Sequence, residues 1–173
     1  MKIAVLSDSH RKTDLTSEAV DMLKAKGAEF LIHAGDLEIK ENLDILKNSG
    51  LIYTSVFGNN DYNLVQYQNQ YNINKEPYYF KIKDLKFKLM HIPTYMTPDS
   101  DIIILGHTHI HEHQYVNNTL YLNPGEICAR EKDLTECVLL EVDDTHYTIE
   151  YHFKKPSDKN WQTKITKYKR GVK

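Results

Sequence analysis

DIIILGHTHIHEH, residues 101–113, passes from an apolar run into a glycine and then into four histidines at alternate positions. If the whole stretch were extended, side chains two apart would point the same way. His107, His109, His111 and His113 would then line one face. Such a face is either a metal site or the polar side of a strand. The part before it reads more simply: a short β-branched run that ends at Gly106, where residues with nitrogen lone pairs begin.

The same pattern recurs along the chain. KIAVL (2–6) runs into SDSH, with Asp8 and His10; EFLIHA (29–34) runs into GD, with Asp36. LIYTSVF (51–57) runs into GNND, with Asn59, Asn60 and Asp61, and KFKLM (86–90) into His91. Helical patterns separate the first three runs. In DLTSEAVDMLKAKG (14–27), Leu15, Ala19, Met22 and Leu23 share a face, with Asp14 as the expected N-cap and Gly27 beyond the C-terminus. In IKENLDILKNSG (39–50), Ile39, Leu43 and Leu46 repeat at helical spacing up to Gly50. Strand alternating with helix predicts an α/β fold with a parallel portion of sheet. In such sheets ligands bind beyond the carboxyl ends of the strands, so residues far apart in sequence converge there. Glycine lets the chain bend sharply at those ends.

The second half changes character. YYFKIKDLKFKLMH (78–91) alternates apolar residues with lysine around Asp84, and ECVLLEVDDTHYTIEYHF (136–153) reads as a hairpin turning at Asp143 and Asp144. The expected architecture is therefore two mixed sheets packed together and flanked by helices. YNLVQYQNQYNINK (62–75) is expected as a loop or short helix over one edge. The single domain spans 1–153. From Lys154 to residue 173 the chain carries eight basic residues against Asp158, which predicts a solvated, partly frayed end pinned only by Trp161.

The chain of 173 residues is 40% hydrophobic and 27% charged, with a formal net charge of −2. That balance gives no protein-wide attraction to nucleic acid or anionic lipid, and long nucleic acids are not expected as substrates. Cys128 and Cys137 form neither a CxxC pair nor a disulfide framework. The N-terminal apolar run is too short for a signal peptide and no run is long enough to span a membrane, so the expected location is cytoplasmic. Homo-oligomerisation is left open.

The series Asp8-x-His10, Gly35-Asp36, Gly58-Asn59, His91 and Gly106-His107-Thr108-His109 resembles the calcineurin-like metallophosphoesterases. Within them it resembles the small YfcE-type phosphodiesterases, whose Asn-Pro-Gly signature is similar to LNPGE (122–126). The resemblance covers roughly residues 1–150 and implies a two-metal hydrolase on a β-sandwich. It implies one cation held by Asp8, His10, Asp36 and His109, and another by Asp36, Asn59, His91 and His107, with Asp36 bridging. Imidazole, carboxylate and amide oxygen together suit borderline cations such as manganese, iron, zinc or nickel rather than calcium or copper(I), and two manganese ions are the expectation. Two dications against Asp8 and Asp36 leave a positive centre, and the implied reaction is in-line attack of a bridging hydroxide on a small phosphate ester.

Three departures from the family pattern bear on substrate. Asn60 stands where many members carry His, a candidate general acid, and the YfcE-type proteins often Cys, with Asp61 after it; both Asn60 and Asp61 are taken as substrate-side residues. An amide delivers no proton, and a positioned acid contributes about 10²–10⁴-fold, so good leaving groups such as aryl diesters are expected to react best. Ile92-Pro93 replaces a Gly-His after His91. Glu126 places a carboxylate expected near the pocket, which favours diesters over monoesters. The alternative is a weakly active or inactive metal-binding scaffold on the same fold, as in the retromer subunit that resembles these enzymes. Of the remaining histidines, His33 is expected to buttress the site or sit in the core. His111 and His113 are expected on a polar strand face, and His146 and His152 at the surface.

Overall fold

The computed structural model describes residues 1–171; the last two residues of the basic tail lie outside them. The strands are β1 (Lys2–Leu6), β2 (Phe30–His33), β3 (Ile52–Val56), β4 (Ile73–Asn74), β5 (Tyr78–Ile82), β6 (Leu85–Leu89), β7 (Ile102–Ile104), β8 (His111–Val116), β9 (Thr119–Pro124), β10 (Thr135–Val142), β11 (His146–Lys154) and β12 (Gln162–Lys169). The helices are α1 (Thr13–Ala25) and α2 (Lys40–Asn48), with a 3₁₀ turn at Tyr62–Tyr67. One sheet runs β12-β11-β10-β1-β2-β3-β4 and the other β5-β6-β7-β9-β8.

The first strand is the centre of the larger sheet. It pairs parallel with β2 and antiparallel with β10, and Ile3 to Leu6 are buried without alternation. A strand covered on both faces has no use for a polar side, hence the continuous apolar run. On its inner face, Ile3, Val5, Ile32 and Val56 meet Phe87, Leu89, Ile102 and Ile104 of the smaller sheet. On its outer face, Ala4, Leu6 and Leu31 meet Ala19, Val20 and Leu23 of α1 and Leu43 and Leu46 of α2. The two sheets are thus packed face to face, and the helices cover only the larger one. The outer face of the smaller sheet carries a cluster of its own, Met90, Ile103 and Leu105 with Tyr121.

Several local expectations need correction. Asp14 is not the N-cap: α1 starts at Thr13 from Lys12, and Asp14 sits in its first turn, where its charge still favours the helix dipole. The segment from Lys154 is not a frayed end. Gln162–Lys169 pairs antiparallel with β11 along its whole length, and Trp161 packs on the α1–α2 layer with the Lys154 ammonium over its ring. Its lysines suit an edge strand because charge there opposes pairing with a further chain. His152 is fully buried rather than at the surface; its Nδ1 bonds Thr163 Oγ1 at 2.8 Å, and burial pulls its pKa to about 4.

Candidate metal centre

All of β1, β2, β3, β6 and β7 end at one rim. Backbone bonds knit the loops there: Asp8 N donates to Gly35 O at 3.0 Å, His10 N to Asp36 O at 2.8 Å, and Gly106 N to His91 O at 3.1 Å. The chain turns off each strand abruptly. Asp8, His10, Asp36, His107 and His109 all have positive φ, between 46° and 68°. That region is unfavourable for residues with a Cβ and is tolerated where surrounding structure over-determines it. Two glycines make room. A Cβ on Gly58 would collide with the Asp36 carboxylate, and one on Gly106 would collide with Ser7 Oγ and lie 2.9 Å from Ala34 O.

The seven residues singled out in the sequence form one connected cup. His109 Nε2 lies 3.3 Å from Asp8 Oδ1, His10 Nε2 3.8 Å from Asp36 Oδ2, and His91 Nε2 3.4 Å from Asp36 Oδ2. Asn59 Oδ1 lies 3.0 Å from His91 Nε2 and 2.9 Å from His107 Nδ1. Potential ligand atoms of Asp8, Asp36 and His91 fall within 4.8 Å of one another, as do those of His10, His109 and Cys128.

Three imidazoles are held from behind by the nitrogen facing away from the cup. His91 Nδ1 lies 2.8 Å from Ala34 O, His109 Nδ1 2.5 Å from Glu126 Oε2, and His10 Nδ1 3.3 Å from Glu38 Oε2. A carbonyl or carboxylate there holds the proton on Nδ1 and leaves the Nε2 lone pair for the cup. Two buried atoms in the cup, Asp8 Oδ1 and His10 Nε2, have no hydrogen-bond partner among the described residues. Orphaned buried acceptors are costly, and a cation is the group that satisfies both. The donor set therefore fits divalent metal.

Residues 1–145 match the model of the calcineurin-like phosphoesterase superfamily domain. The chain belongs to this superfamily. It is 26% identical to Phosphodiesterase MJ0936 of Methanocaldococcus jannaschii over 85% of this chain and 96% of that protein. In structure it is similar to zinc-complexed Vps29 of Entamoeba histolytica, with a TM-score of 0.74, 24% identity, and coverage of 96% of this chain and 99% of the other. It is also similar to the phosphoesterase YfcE of E. coli, with a TM-score of 0.70, 18% identity, and coverage of 86% and 92%. The two-sheet metallophosphoesterase fold expected from the sequence is the fold observed.

The electrostatics of this phosphoesterase cup are those of a site built to hold cations. Burial pushes the Asp8 carboxyl up, more than the Ser7 hydroxyl and the neighbouring imidazoles draw it down. Burial acts the same way on Asp36, but the His91 bond and charge, with two donations from Asn60, hold it well below the usual range. His91 is correspondingly raised: burial opposes its charge, and Asp36 more than restores it. Glu126 is drawn down to about 2, as the His109, Cys128 and backbone donors outweigh burial. Burial and Glu126 push the Cys128 thiol up to about 12, so it serves as a donor to Glu126 at 3.1 Å rather than as a thiolate ligand.

Three expectations about the site change. Asp61 does not face substrate: it is fully buried, and its oxygens accept from Asp36 N at 2.9 Å, Gly58 N at 2.8 Å and Glu38 N at 2.6 Å. It shapes the loop that aims Asp36. Asn60 lines the cup, but its amide donates to Asp36 Oδ2 at 2.7 Å instead of reaching outward. Glu126 turns inward onto His109, so it exerts no direct repulsion on substrate.

His33 is buried and neutral, its pKa drawn to about 3 by desolvation, with Nε2 2.6 Å from Ser9 Oγ. His111 and His113 point away from the cup, but not onto a polar strand face: both are half-buried against tyrosines of the larger sheet, and the exposed face of β8 carries Glu112 and Gln114 instead. Glu38 and Arg130 escaped the sequence reading; the Arg130 Nη2 lies 3.1 Å from His109 Nε2 at the cup's edge. No motif spacing marks either, although Glu38 stands two residues after Asp36.

Proposed function

We propose that the protein is a metal-dependent phosphodiesterase whose two divalent cations, manganese foremost, are held by Asp8, His10, Asp36, Asn59, His91, His107 and His109. The observation that carries this is the set of imidazoles fixed from behind with their Nε2 atoms aimed at the buried oxygens of Asp8 and Asp36. Bound dications would supply positive charge against the phosphate and lower the pKa of water from 15.7 toward about 7.

The chain's own residues do the rest. Asp36 remains an anion because Asn60 and His91 hold its charge. Asp61 fixes the loop through three backbone donors, and Glu126 fixes the ring of His109. The cup also presents Asn59, Thr108 and Arg130, groups that donate to phosphate oxygens. Among its described lining residues no group stands as a free proton donor for the departing oxygen: Asn60 offers only an amide, and the Lys132 ammonium is paired with Glu136 at 2.7 Å. Esters with stable leaving anions are therefore the favoured substrates. The curated relative named as a phosphodiesterase supports the diester, and the inward turn of Glu126 removes one reason for excluding monoesters.

Reconstitution with manganese, followed by assay on bis-(p-nitrophenyl) phosphate and on the monoester, tests the reading. Wild type should hydrolyse the diester faster, and Asp36→Asn should abolish turnover. Equal rates for the two proteins would remove the proposed chemistry. A second reading, a metal-binding scaffold without turnover, is favoured by the Asn60 amide being spent on Asp36. It predicts metal binding by wild type with no hydrolysis of either ester.

A further inference from the structure

Behind the cup, on the outer face of the smaller sheet, lies a second cleft of about 380 Å³. Its walls are mostly apolar, with Pro93, Met96, Leu105, Val116 and Tyr121 prominent. It shares one residue with the cup: Thr108, between His107 and His109, lines both.

The cleft is walled by design of the chain rather than by loose packing. Lys88 stands on the outer face of β6 with its side chain fully buried. Its ammonium donates to Tyr95 O at 3.0 Å, Thr97 O at 2.9 Å and Thr97 Oγ1 at 3.1 Å, and pairs with Asp99 at 2.6 Å. Tyr121 adds a bond from its hydroxyl to Met96 O at 3.0 Å. A buried lysine spending its charge on one loop fixes that loop over the sheet. Ile92-Pro93, standing where the YfcE-type resemblance implies Gly-His, opens this same loop, and Pro93 gives the cleft an apolar wall.

We propose that this cleft seats one ester arm of the substrate, and that the arm is an uncharged aromatic alcohol. This rests on the phosphodiesterase reading. The size suits a small-molecule subsite, and the methionine thioether and tyrosine ring offer faces for a planar group. Glu112 at the wall opposes a second anionic arm. The shared Thr108 wall sets the phosphate on the cup side and the arm on the cleft side.

The manganese-loaded full chain tests this with phenyl p-nitrophenyl phosphate and methyl p-nitrophenyl phosphate, which share a leaving group. Wild type should favour the phenyl ester by about tenfold in kcat/KM, expressed in KM. Leu105→Ala, at the cleft wall nearest Thr108, and Met96→Ala should bring that ratio toward unity. A wild-type ratio near unity, or one that neither substitution moves, overturns the proposal. If neither ester turns over, the phosphodiesterase reading has failed, and calorimetric titration with diphenyl and dimethyl phosphate still reads the cleft. Tighter binding of the diphenyl ester, weakened by Leu105→Ala, upholds it; equal binding overturns it.

Discussion

Two pairs of histidines from one stretch of chain end in opposite situations. His107 and His109 lie in a loop where the backbone takes φ of 68° and 60°, and their rings turn into the cup. His111 and His113 lie in regular β8 strand and face tyrosines of the larger sheet. The His111 ring stacks on Tyr151 with centroids 3.8 Å apart, and His113 Nδ1 meets the Tyr168 hydroxyl at 2.8 Å. Burial lowers the pKa of both, His111 to about 4, so they are neutral packing groups. Alternation in the sequence is therefore no guide to function here. Backbone strain separates the pair aimed at a ligand from the pair used to hold two sheets together.

The sharpest way to break this comparison is to truncate one histidine from each pair. His109→Ala should weaken manganese binding by more than about 100-fold, beyond what loss of a supporting partner costs, whereas His111→Ala should leave it within about twofold. Calorimetric titration checks both, and comparable losses would erase the distinction. Glu126→Gln removes the charge that holds the His109 tautomer and should cost about 10–100-fold in the same titration.

A smaller effect concerns pH. His91 has a raised pKa in the metal-free protein, and a cation must displace the proton from its Nε2. Burial opposes the charge on His109 too, but Glu126 and Asp8 outweigh it and raise that pKa as well. Metal affinity should therefore increase with pH below these two pKa values, by at least about tenfold per unit, and level off above them. A flat profile from about pH 6 to 8 would mean that neither ring gives up a proton. The smallest effect lies in the other pair. Tyr168→Phe removes the bond to His113 and should lower stability by about 1 kcal/mol in urea titration without moving metal affinity. A shift in affinity would show that the two pairs are linked.

Much of this molecule was legible along the chain because its central strands are buried on both faces. IAVL, FLI and III within these strands are wholly apolar, so the acids and imidazoles gathered just beyond each run, Asp8 and His10, Asp36, and His107 and His109, mark the rim. The edge was harder to read. QTKITKYK is exposed at most positions and looks like a solvated tail, since a strand that packs on only one neighbour needs little apolar surface. His152 was missed for a related reason: a polar residue in an alternating hairpin gives no sign that β12 and α1 will close over it.

By itself the sequence determined which side chains gather at the cup, because order along β1, β2, β3, β6 and β7 follows from burial and chain direction, both local properties. Only the tertiary structure decided how those side chains are aimed. Ala34 O, Glu38 and Glu126 reach their imidazoles from loops up to 57 positions away, and Asn60 and Asp61 turn inward once Gly58 has let the loop close on Asp36. Hydrogen bonds of that kind depend on distances between strands that no spacing in the chain records.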